Sequence, residues 1–186
     1  MRKRTDLWRT TVLRVPLIGS LLIGIALVAV SVRALGRVGI HQGYRPLQPI
    51  AFSHRLHAGA TRIPCLYCHY AAARSEHAGI PAQSVCMNCH SLMDAQTMDI
   101  ERLRESVLQK RPIRWVKVHN LPGFVHFDHS RHVRASVACA SCHGPVEHMD
   151  TVDQRMPLTM GWCLSCHDAR GVGEHGGRTD CVRCHY

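Results

Sequence analysis

The arrangement of cysteine and histidine constrains this 186-residue chain more than any other feature. All ten cysteines fall in five copies of Cys-x-x-Cys-His, which we number motifs 1 to 5 in chain order. Two thiols three residues apart can form thioethers with the two vinyl groups of one haem, and the next histidine then lies under the iron. The motifs therefore predict five covalently bound haem c groups.

Each motif is predicted to supply two thioether sulfurs and one proximal iron ligand. The cofactor-binding thiols are Cys65, Cys68, Cys86, Cys89, Cys139, Cys142, Cys163, Cys166, Cys181 and Cys184. The proximal ligands are His69, His90, His143, His167 and His185. A zinc ribbon could also use the first two cysteine pairs, but it needs no histidine after each pair. Neither a disulfide framework nor a thioredoxin-like Cys-x-x-Cys site explains the five histidines.

Composition supports a fold that is built around cofactors. Only 5% of the residues are aromatic, so few large side chains are available to fill a core. Five flat apolar haems would supply that core, and we expect a mainly α and irregular fold without a substantial sheet. The formal charge of +10 would be offset by the haem propionates, and no basic cluster is interleaved with aromatic residues. We therefore expect no binding to nucleic acid.

The N-terminal region predicts a membrane anchor. Residues 1–14 are basic, and residues 15–32 are uncharged, enough for a helix of roughly 27 Å. A cleaved signal peptide is the alternative, but the apolar run is long and no small-x-small site follows it. We expect a cytoplasmic segment over 1–14, a transmembrane anchor over 15–35 and a linker over 36–50. Haem attachment takes place outside the bacterial inner membrane, so residues 51–186 are predicted to form a periplasmic pentahaem domain.

Distal ligands are predicted by a pattern that occurs twice. The sequence F-x-H-x-x-H places His54 and His57 before motifs 1 and 2, and His129 and His132 before motifs 3 and 4. Histidines at i and i+3 on a helix face the same side and can serve two haems. The chain therefore contains an internal repeat, which we call repeat 1 (52–90) and repeat 2 (127–167).

Four distal histidines leave one haem without a second ligand. The candidates are His119, His77, Met160 and Met156, and a methionine ligand would raise the haem potential relative to two histidines. The remaining histidines are interpreted as bystanders: His126, His148, His41 and His175.

Two segments between the repeats have their own patterns. Residues 94–110 predict an amphipathic helix that ends before Pro112, either as a scaffold or docking element or as a solvated surface helix. Residues 115–122, WVKVHNLP, alternate with a period of two, which favours either an edge strand that carries His119 towards a haem or an extended linker.

The paired histidines and the five motifs resemble those of class III multihaem cytochromes. The segments AGIP (78–81), WVKVHNLP (115–122), FDHSRH (127–132) and PLTMGWC (157–163) are similar to the pentahaem subunit family of the alternative complex III. The resemblance implies distal roles for His54, His57, His129 and His132, and one for Met160. It also implies three kinds of partner: an iron–sulfur subunit, quinol-binding membrane subunits and a monohaem cytochrome c or other periplasmic acceptor.

These features predict an electron-transfer subunit without catalysis of its own. Electrons would pass from a quinol-oxidising complex to periplasmic acceptors. A multihaem reductase is one alternative, but it needs a five-coordinate haem with acid–base groups beside it. A stand-alone membrane-anchored quinol dehydrogenase is the other, and it needs a quinol site of its own.

Overall fold

The computed structural model describes residues 2–36, 38–93, 97–171 and 181–185. The chain divides into two compact units, Met1–Ile40 and His41–Tyr186.

The first unit is one long helix, α1 (Arg2–Leu35). Its segment Arg14–Leu35 has 22 residues and a mean hydropathy of 2.5, so it is long and apolar enough to cross a membrane. The helix begins well before the predicted anchor, because the basic residues at its start are also helical. A signal sequence near the N-terminus can satisfy the same criteria of length and hydropathy, so the helix fits both an anchor and a cleaved leader.

The second unit consists of short helices and turns. Its α-helices are α2 (Cys65–Cys68), α3 (Gln83–His90), α4 (Met98–Leu108), α5 (His129–Arg134), α6 (Ala140–His143) and α7 (Met160–Ala169). A π-helical turn covers Arg55–Ala60, and 3₁₀ turns cover Tyr70–Ala73, Val146–His148 and Cys181–Arg183. The expectation of a mainly helical and irregular fold is confirmed, since no strand occurs among the described residues.

The strand suggested for residues 115–122 is therefore wrong, and the extended-linker alternative holds. The side-chain amide of Gln48 takes the place of a partner strand. It donates to the carbonyl of Val116 at 2.9 Å and accepts from the amide of the same residue at 2.9 Å. One side chain satisfies both backbone groups, so the alternating sequence needs no sheet.

The amphipathic helix between the repeats is shorter than predicted. Helix α4 begins after Thr97, whose hydroxyl accepts from the amide of Ile100 at 3.3 Å and so caps the first turn. The proposed start, 94–96, lies outside the described residues. Leu103 is the buried residue of this helix, which packs against α3.

The polypeptide buries little apolar surface by itself. Ala72, Leu103 and Met149 are the buried apolar side chains among the described residues. The most completely buried large side chain is polar: Gln154 is 1% exposed. Its backbone pairs with the segment that follows α1, since its carbonyl accepts from Gly43 at 2.7 Å and its amide donates to Tyr44 at 3.1 Å.

Backbone contacts join the two repeats. The amide of Arg55 donates to the carbonyl of Met149 at 2.9 Å, and the amide of Ser130 donates to Ser75 at 3.1 Å. Gly59 lies so close to the carbonyl of Glu147 that a Cβ atom there would collide with it. The turn that carries the first histidine pair therefore packs against the chain just after motif 3.

Candidate haem sites

The motifs fold locally in the way that thioether attachment needs. In motifs 1, 3 and 5 the amide of the histidine donates to the carbonyl of the first cysteine, at 2.9 to 3.0 Å. This one helical turn brings both thiols and the imidazole to the same side of the chain. The ten cysteines, all of which lie in the described part, form no disulfide.

The structure brings each histidine of the two F-x-H-x-x-H patterns to face one motif histidine. The ring centroids of His54 and His69 are 6.5 Å apart, and those of His129 and His143 are 6.3 Å apart. Within these two pairs the rings are nearly parallel, at 5° and 12°. The second members of the patterns face motifs 2 and 4: His57 lies 6.1 Å from His90, and His132 lies 6.1 Å from His167.

These separations fit two imidazoles on opposite sides of one iron. An imidazole nitrogen binds a transition metal at about 2 Å and lies about 1 Å from its ring centre, so the two centroids should be about 6 Å apart. Rings in direct stacking contact would be closer, as the 4.3 Å separation of Phe52 and His57 illustrates. The residues present therefore fit a haem iron at motifs 1 to 4.

The phenylalanine of each pattern holds both histidine rings. Phe52 stands edge-on to His54 at 4.8 Å and stacks on His57 at 4.3 Å. Phe127 has the same relation to His129 and His132, also at 4.8 Å and 4.3 Å. This packing restricts the rotamers of both rings, which fixes where their nitrogen atoms point.

Hydrogen bonds at Nδ1 leave Nε2 available for a metal. The Nδ1 atoms of five histidines donate to backbone carbonyls at 2.6 to 3.0 Å: His57 to Ser53, His69 to Gly79, His129 to Glu76, His132 to Asp128 and His185 to Phe124. Such a bond fixes the tautomer and makes the ring a better donor to iron. By contrast, Nδ1 of His54 and of His90 is buried without a hydrogen-bond partner.

Burial favours the neutral form of two of the ligand candidates in particular. It lowers the pKa of His54 to about 4, with a smaller effect from the neighbouring His69. Burial also lowers the pKa of His143 to about 4, and the adjacent ring of His119 contributes to this shift. A neutral imidazole has the lone pair that metal binding needs, so these rings are prepared for ligation at neutral pH.

His119 lies beside a motif histidine rather than across from one. Its Nε2 is 3.2 Å from Nδ1 of His143, and the two rings are almost perpendicular, at 81°. The next residue is fixed by the buried amide of Gln154, whose Oε1 accepts from the backbone N–H of Asn120 at 3.0 Å. Burial lowers the pKa of His119 as well.

The other candidates for a fifth distal ligand lie in different environments. His77 is exposed. Met160 is 65% exposed at the first position of α7, and the carbonyl of Met156 accepts from the side chain of Gln154 at 3.2 Å.

The histidines interpreted as bystanders occupy different environments. His148 is exposed and lies 3.9 Å from the carboxylate of Glu147, while His41 packs edge-on against Tyr44. The amide of His126 donates to the carbonyl of Cys184 at 2.8 Å, which ties the start of repeat 2 to motif 5. His175 lies outside the described residues.

Hydrogen bonds and neighbouring thiols link the motifs in a row whose order differs from their order in the sequence. Asn88 of motif 2 donates to the hydroxyl of Tyr67 in motif 1 at 3.0 Å. Burial and the adjacent, hydrogen-bonded thiol of Cys139 raise the pKa of Cys65, so motif 1 also meets motif 3.

The row continues through repeat 2 to the C-terminal motif. Burial and the nearby thiol of Cys166 raise the pKa of Cys142. Motif 3 therefore lies beside motif 4. In the same way, burial and the nearby thiol of Cys184 raise the pKa of Cys163. Motif 4 therefore lies beside motif 5. The spatial order is therefore 2, 1, 3, 4, 5.

The zinc alternative has no support from this geometry. Within the residues that the structure describes, no three His, Cys, Asp or Glu side chains converge as a metal-binding group. A structural zinc site would need four such ligands at one point.

Sequence reasoning missed the residues whose hydrogen bonds hold the ligand candidates in place. Gln154 is the clearest case, since a single glutamine between charged residues carries no motif. The carbonyls of Glu76, Gly79 and Phe124 are backbone groups that any residue could supply. Their roles depend on which segments meet in space, and no sequence pattern reports that.

Two comparisons with known proteins agree with this geometry. The family described as "Cytochrome c7 and related cytochrome c" matches residues 125–186, which include repeat 2 and motif 5. The chain is also similar to a protein of Nitratidesulfovibrio vulgaris named "Menaquinone reductase, multiheme cytochrome c subunit". The two are 27% identical, with 74% of this chain and 76% of the relative covered. Both similarities are to c-type multihaem cytochromes, which carry covalently bound haem c.

Proposed function

We propose that this protein is a membrane-anchored pentahaem cytochrome c that relays electrons between a quinone-linked membrane complex and periplasmic redox partners. The observation that carries the proposal is the set of four facing histidine pairs, whose ring centroids are 6.1 to 6.5 Å apart. Each pair consists of one histidine from an F-x-H-x-x-H pattern and one from a Cys-x-x-Cys-His motif. The similarity to a multihaem subunit of a menaquinone reductase points to the same kind of complex.

Bound haem supplies a centre that accepts and releases one electron. The cysteines of each motif would hold one haem through two thioethers, and the motif histidine would be its proximal ligand. His54, His57, His129 and His132 would be the distal ligands at motifs 1, 2, 3 and 4. Two histidines on each of these four irons would leave no open coordination position there, which suits electron transfer and not substrate binding.

The five haems would also form most of the hydrophobic core of residues 51–186. The polypeptide buries very few apolar side chains itself, and a chain of this size needs more buried surface to be stable. The facing ring pairs are distributed through the second unit, so each haem would fill space between two segments.

The motif order 2, 1, 3, 4, 5 makes a continuous path with motifs 2 and 5 at its ends. In each repeat one short turn holds two distal histidines, so neighbouring haems are kept at a fixed spacing. The chain's residues would thereby hold the redox centres close together, and the partners at either end would determine where electrons enter and leave.

The direction of electron flow has two candidates. The resemblance to the alternative complex III family favours quinol oxidation, with an iron–sulfur subunit, polytopic quinol-binding subunits and a monohaem cytochrome c as partners. The name of the relative favours the opposite direction, towards menaquinone. We propose the first direction and retain the second because the relative is a specific observation in its favour.

Localisation follows from the anchor and the haem chemistry. Segment Arg14–Leu35 would cross the inner membrane, with the basic residues before it in the cytoplasm. The pentahaem domain would then face the periplasm, where haem is attached to c-type cytochromes.

A tagged full-length protein purified from membranes would test the proposal. Intact-mass measurement should give the mass of the uncleaved chain plus five haems, and the protein should copurify with membrane subunits that bind quinol. Menaquinol should reduce the haems in this preparation but not in the isolated chain. Fewer than five haems, or a cleaved N-terminus, would contradict the proposal, and reduction of the isolated chain would favour a stand-alone quinol dehydrogenase.

The two directions can be separated in the same preparation. If quinol oxidation is correct, menaquinol reduces the haems and an added periplasmic cytochrome c then reoxidises them. If quinone reduction is correct, electrons supplied by a reduced periplasmic donor convert menaquinone to menaquinol faster than the reverse reaction proceeds.

A further inference from the structure

His143 differs from the motif histidines His69 and His185 in what its Nδ1 contacts. Nδ1 of His69 and Nδ1 of His185 each donate a hydrogen bond to a backbone carbonyl. Nδ1 of His143 instead lies 3.2 Å from the imidazole Nε2 of His119. If Nε2 of His143 binds iron, Nδ1 carries the hydrogen and must be the donor of this bond. His119 is then the acceptor, which requires that its own hydrogen is on Nδ1.

His119 is held in place by contacts independent of His143. The buried side chain of Gln154 accepts from the backbone N–H of Asn120 at 3.0 Å. Further back along the same segment, Gln48 pairs with both backbone groups of Val116. The side-chain amide of Asn120 also lies 3.3 Å from Nε2 of His41. The extended segment is therefore pinned at two points, and the ring of His119 is presented to His143 by the fold.

We propose that His119 is a positioning residue that lowers the reduction potential of the haem at motif 3. The inference rests on the proposed haem sites and deepens them. A hydrogen-bond acceptor at Nδ1 increases the electron donation of an axial histidine, and this stabilises ferric iron relative to ferrous iron.

The opposite ligand acts in the same direction. Nδ1 of His129 donates to the carbonyl of Glu76 at 2.6 Å, so both axial rings at motif 3 are hydrogen-bonded. At motifs 1 and 2 one ring of each pair, His54 or His90, has a buried Nδ1 with no acceptor. The haem at motif 3, in the middle of the row, should therefore have a lower potential than the haems at motifs 1 and 2.

The test compares His119→Phe and His119→Gln in the full-length holoprotein. Phenylalanine removes the acceptor and keeps the volume of a ring, whereas the side-chain oxygen of glutamine can accept from His143 in place of Nε2. His148→Phe is the control, because it makes the same change at an exposed histidine that we interpret as a bystander. The measurements are intact mass for haem content, electron paramagnetic resonance for spin state, and a potentiometric titration of all five haems.

The expected result is a rise in the potential of one low-potential haem in His119→Phe, with all five haems retained and their spin states unchanged. His119→Gln and His148→Phe should titrate like the unmodified protein. Loss of one haem from His119→Phe but not from His119→Gln would also support a positioning role, because glutamine retains a hydrogen-bond acceptor and phenylalanine does not.

Three outcomes would overturn the inference. These are an unchanged titration in His119→Phe, haem loss from both His119 variants, and a new high-spin haem, which would make His119 an axial ligand. Failure of the proposed function is recognised separately, since it would appear in the unmodified protein as fewer than five haems.

Discussion

Repeats 1 and 2 reach the same histidine geometry from different backbones. In repeat 1 the two histidines lie at the start of a π-helical turn (Arg55–Ala60), and in repeat 2 they lie on α5. The phenylalanine–histidine distances are nevertheless the same, at 4.8 Å and 4.3 Å in both. The two regions share the spacing between the histidine rings, each of which must reach a different motif. They differ in the type of helical turn that produces this spacing.

The repeats differ in where a carboxylate stabilises the turn. In repeat 2, Asp128 caps α5 from within by accepting from the amide of Ser130 at 2.8 Å. Repeat 1 has Ser53 at the matched position, whose hydroxyl accepts from the amide of Leu56 at 3.1 Å and donates to Asp150, 97 residues away, at 2.7 Å. Asp150 also pairs with Arg55 at 2.9 Å. Repeat 1 therefore makes its own local cap through a serine but takes its carboxylate from repeat 2, whereas in repeat 2 the capping residue is itself the carboxylate.

The largest effect is expected from the distal histidines themselves. His54→Leu and His129→Leu each remove one axial ligand, so each variant should convert one of its five haems from low-spin to high-spin. Because the pairs are geometrically equivalent, the two variants should give high-spin signals of equal size in electron paramagnetic resonance. A fully low-spin spectrum in either variant would mean that the substituted histidine is not the ligand.

A smaller effect should separate the repeats. Gly59→Ala places a Cβ against the carbonyl of Glu147, and the free energy of unfolding should fall by about 1–3 kcal/mol, the usual cost of overpacking. The matched position in repeat 2 is the exposed Arg134, so only repeat 1 makes this close approach. Denaturant unfolding monitored by circular dichroism would measure the change.

Gly161→Ala is the matched control for that substitution. A Cβ at Gly161 would meet no atom within 4 Å, and the residue is in helix α7. Alanine should therefore leave stability unchanged or raise it by up to about 1 kcal/mol. Equal losses in both variants would contradict the close contact between the repeats.

The smallest effect is expected from the two carboxylates. Hydrogen bonds from Ser130 lower the pKa of Asp128, and those from Ser53 and Arg55 lower the pKa of Asp150. A depressed pKa means that the stabilisation is present above the unfolded pKa and is lost as pH falls through the folded pKa. Asp128→Asn and Asp150→Asn should therefore reduce stability at neutral pH and flatten its loss in acid.

The two aspartate variants can be compared by thermal unfolding across pH. Both groups are near the surface, so both effects should be small and should weaken at high salt. Asp150→Asn should also loosen the contact between the repeats, whereas Asp128→Asn should act only on α5. Identical acid profiles for the variants and the unmodified protein would exclude a role for these carboxylates.

The sequence anticipates the parts of this site that depend on local spacing. Histidines at i and i+3 must lie near each other on a turn, and the structure does bring His54 and His57 to the two nearest motifs. The order of the motifs in space, 2, 1, 3, 4, 5, was not predictable, because it depends on contacts between segments far apart in the chain. Gln154 and the backbone acceptor of His129 were missed for the same reason.

The incorrect strand at 115–122 has a related cause. Its alternation is real, but the hydrogen bonds that would have paired it with a strand are made by the side chain of Gln48. A pattern with a period of two predicts an extended backbone and does not identify which groups form hydrogen bonds with that backbone.

The central claim is that the two repeats hold four haems through histidine pairs of equivalent geometry. Near-infrared magnetic circular dichroism of the oxidised full-length protein tests it most directly, because the charge-transfer band distinguishes two-histidine from histidine–methionine ligation. The account predicts low-spin, two-histidine ligation for at least four of the five haems. Histidine–methionine ligation at two or more haems, or a high-spin fraction larger than one haem, would contradict it.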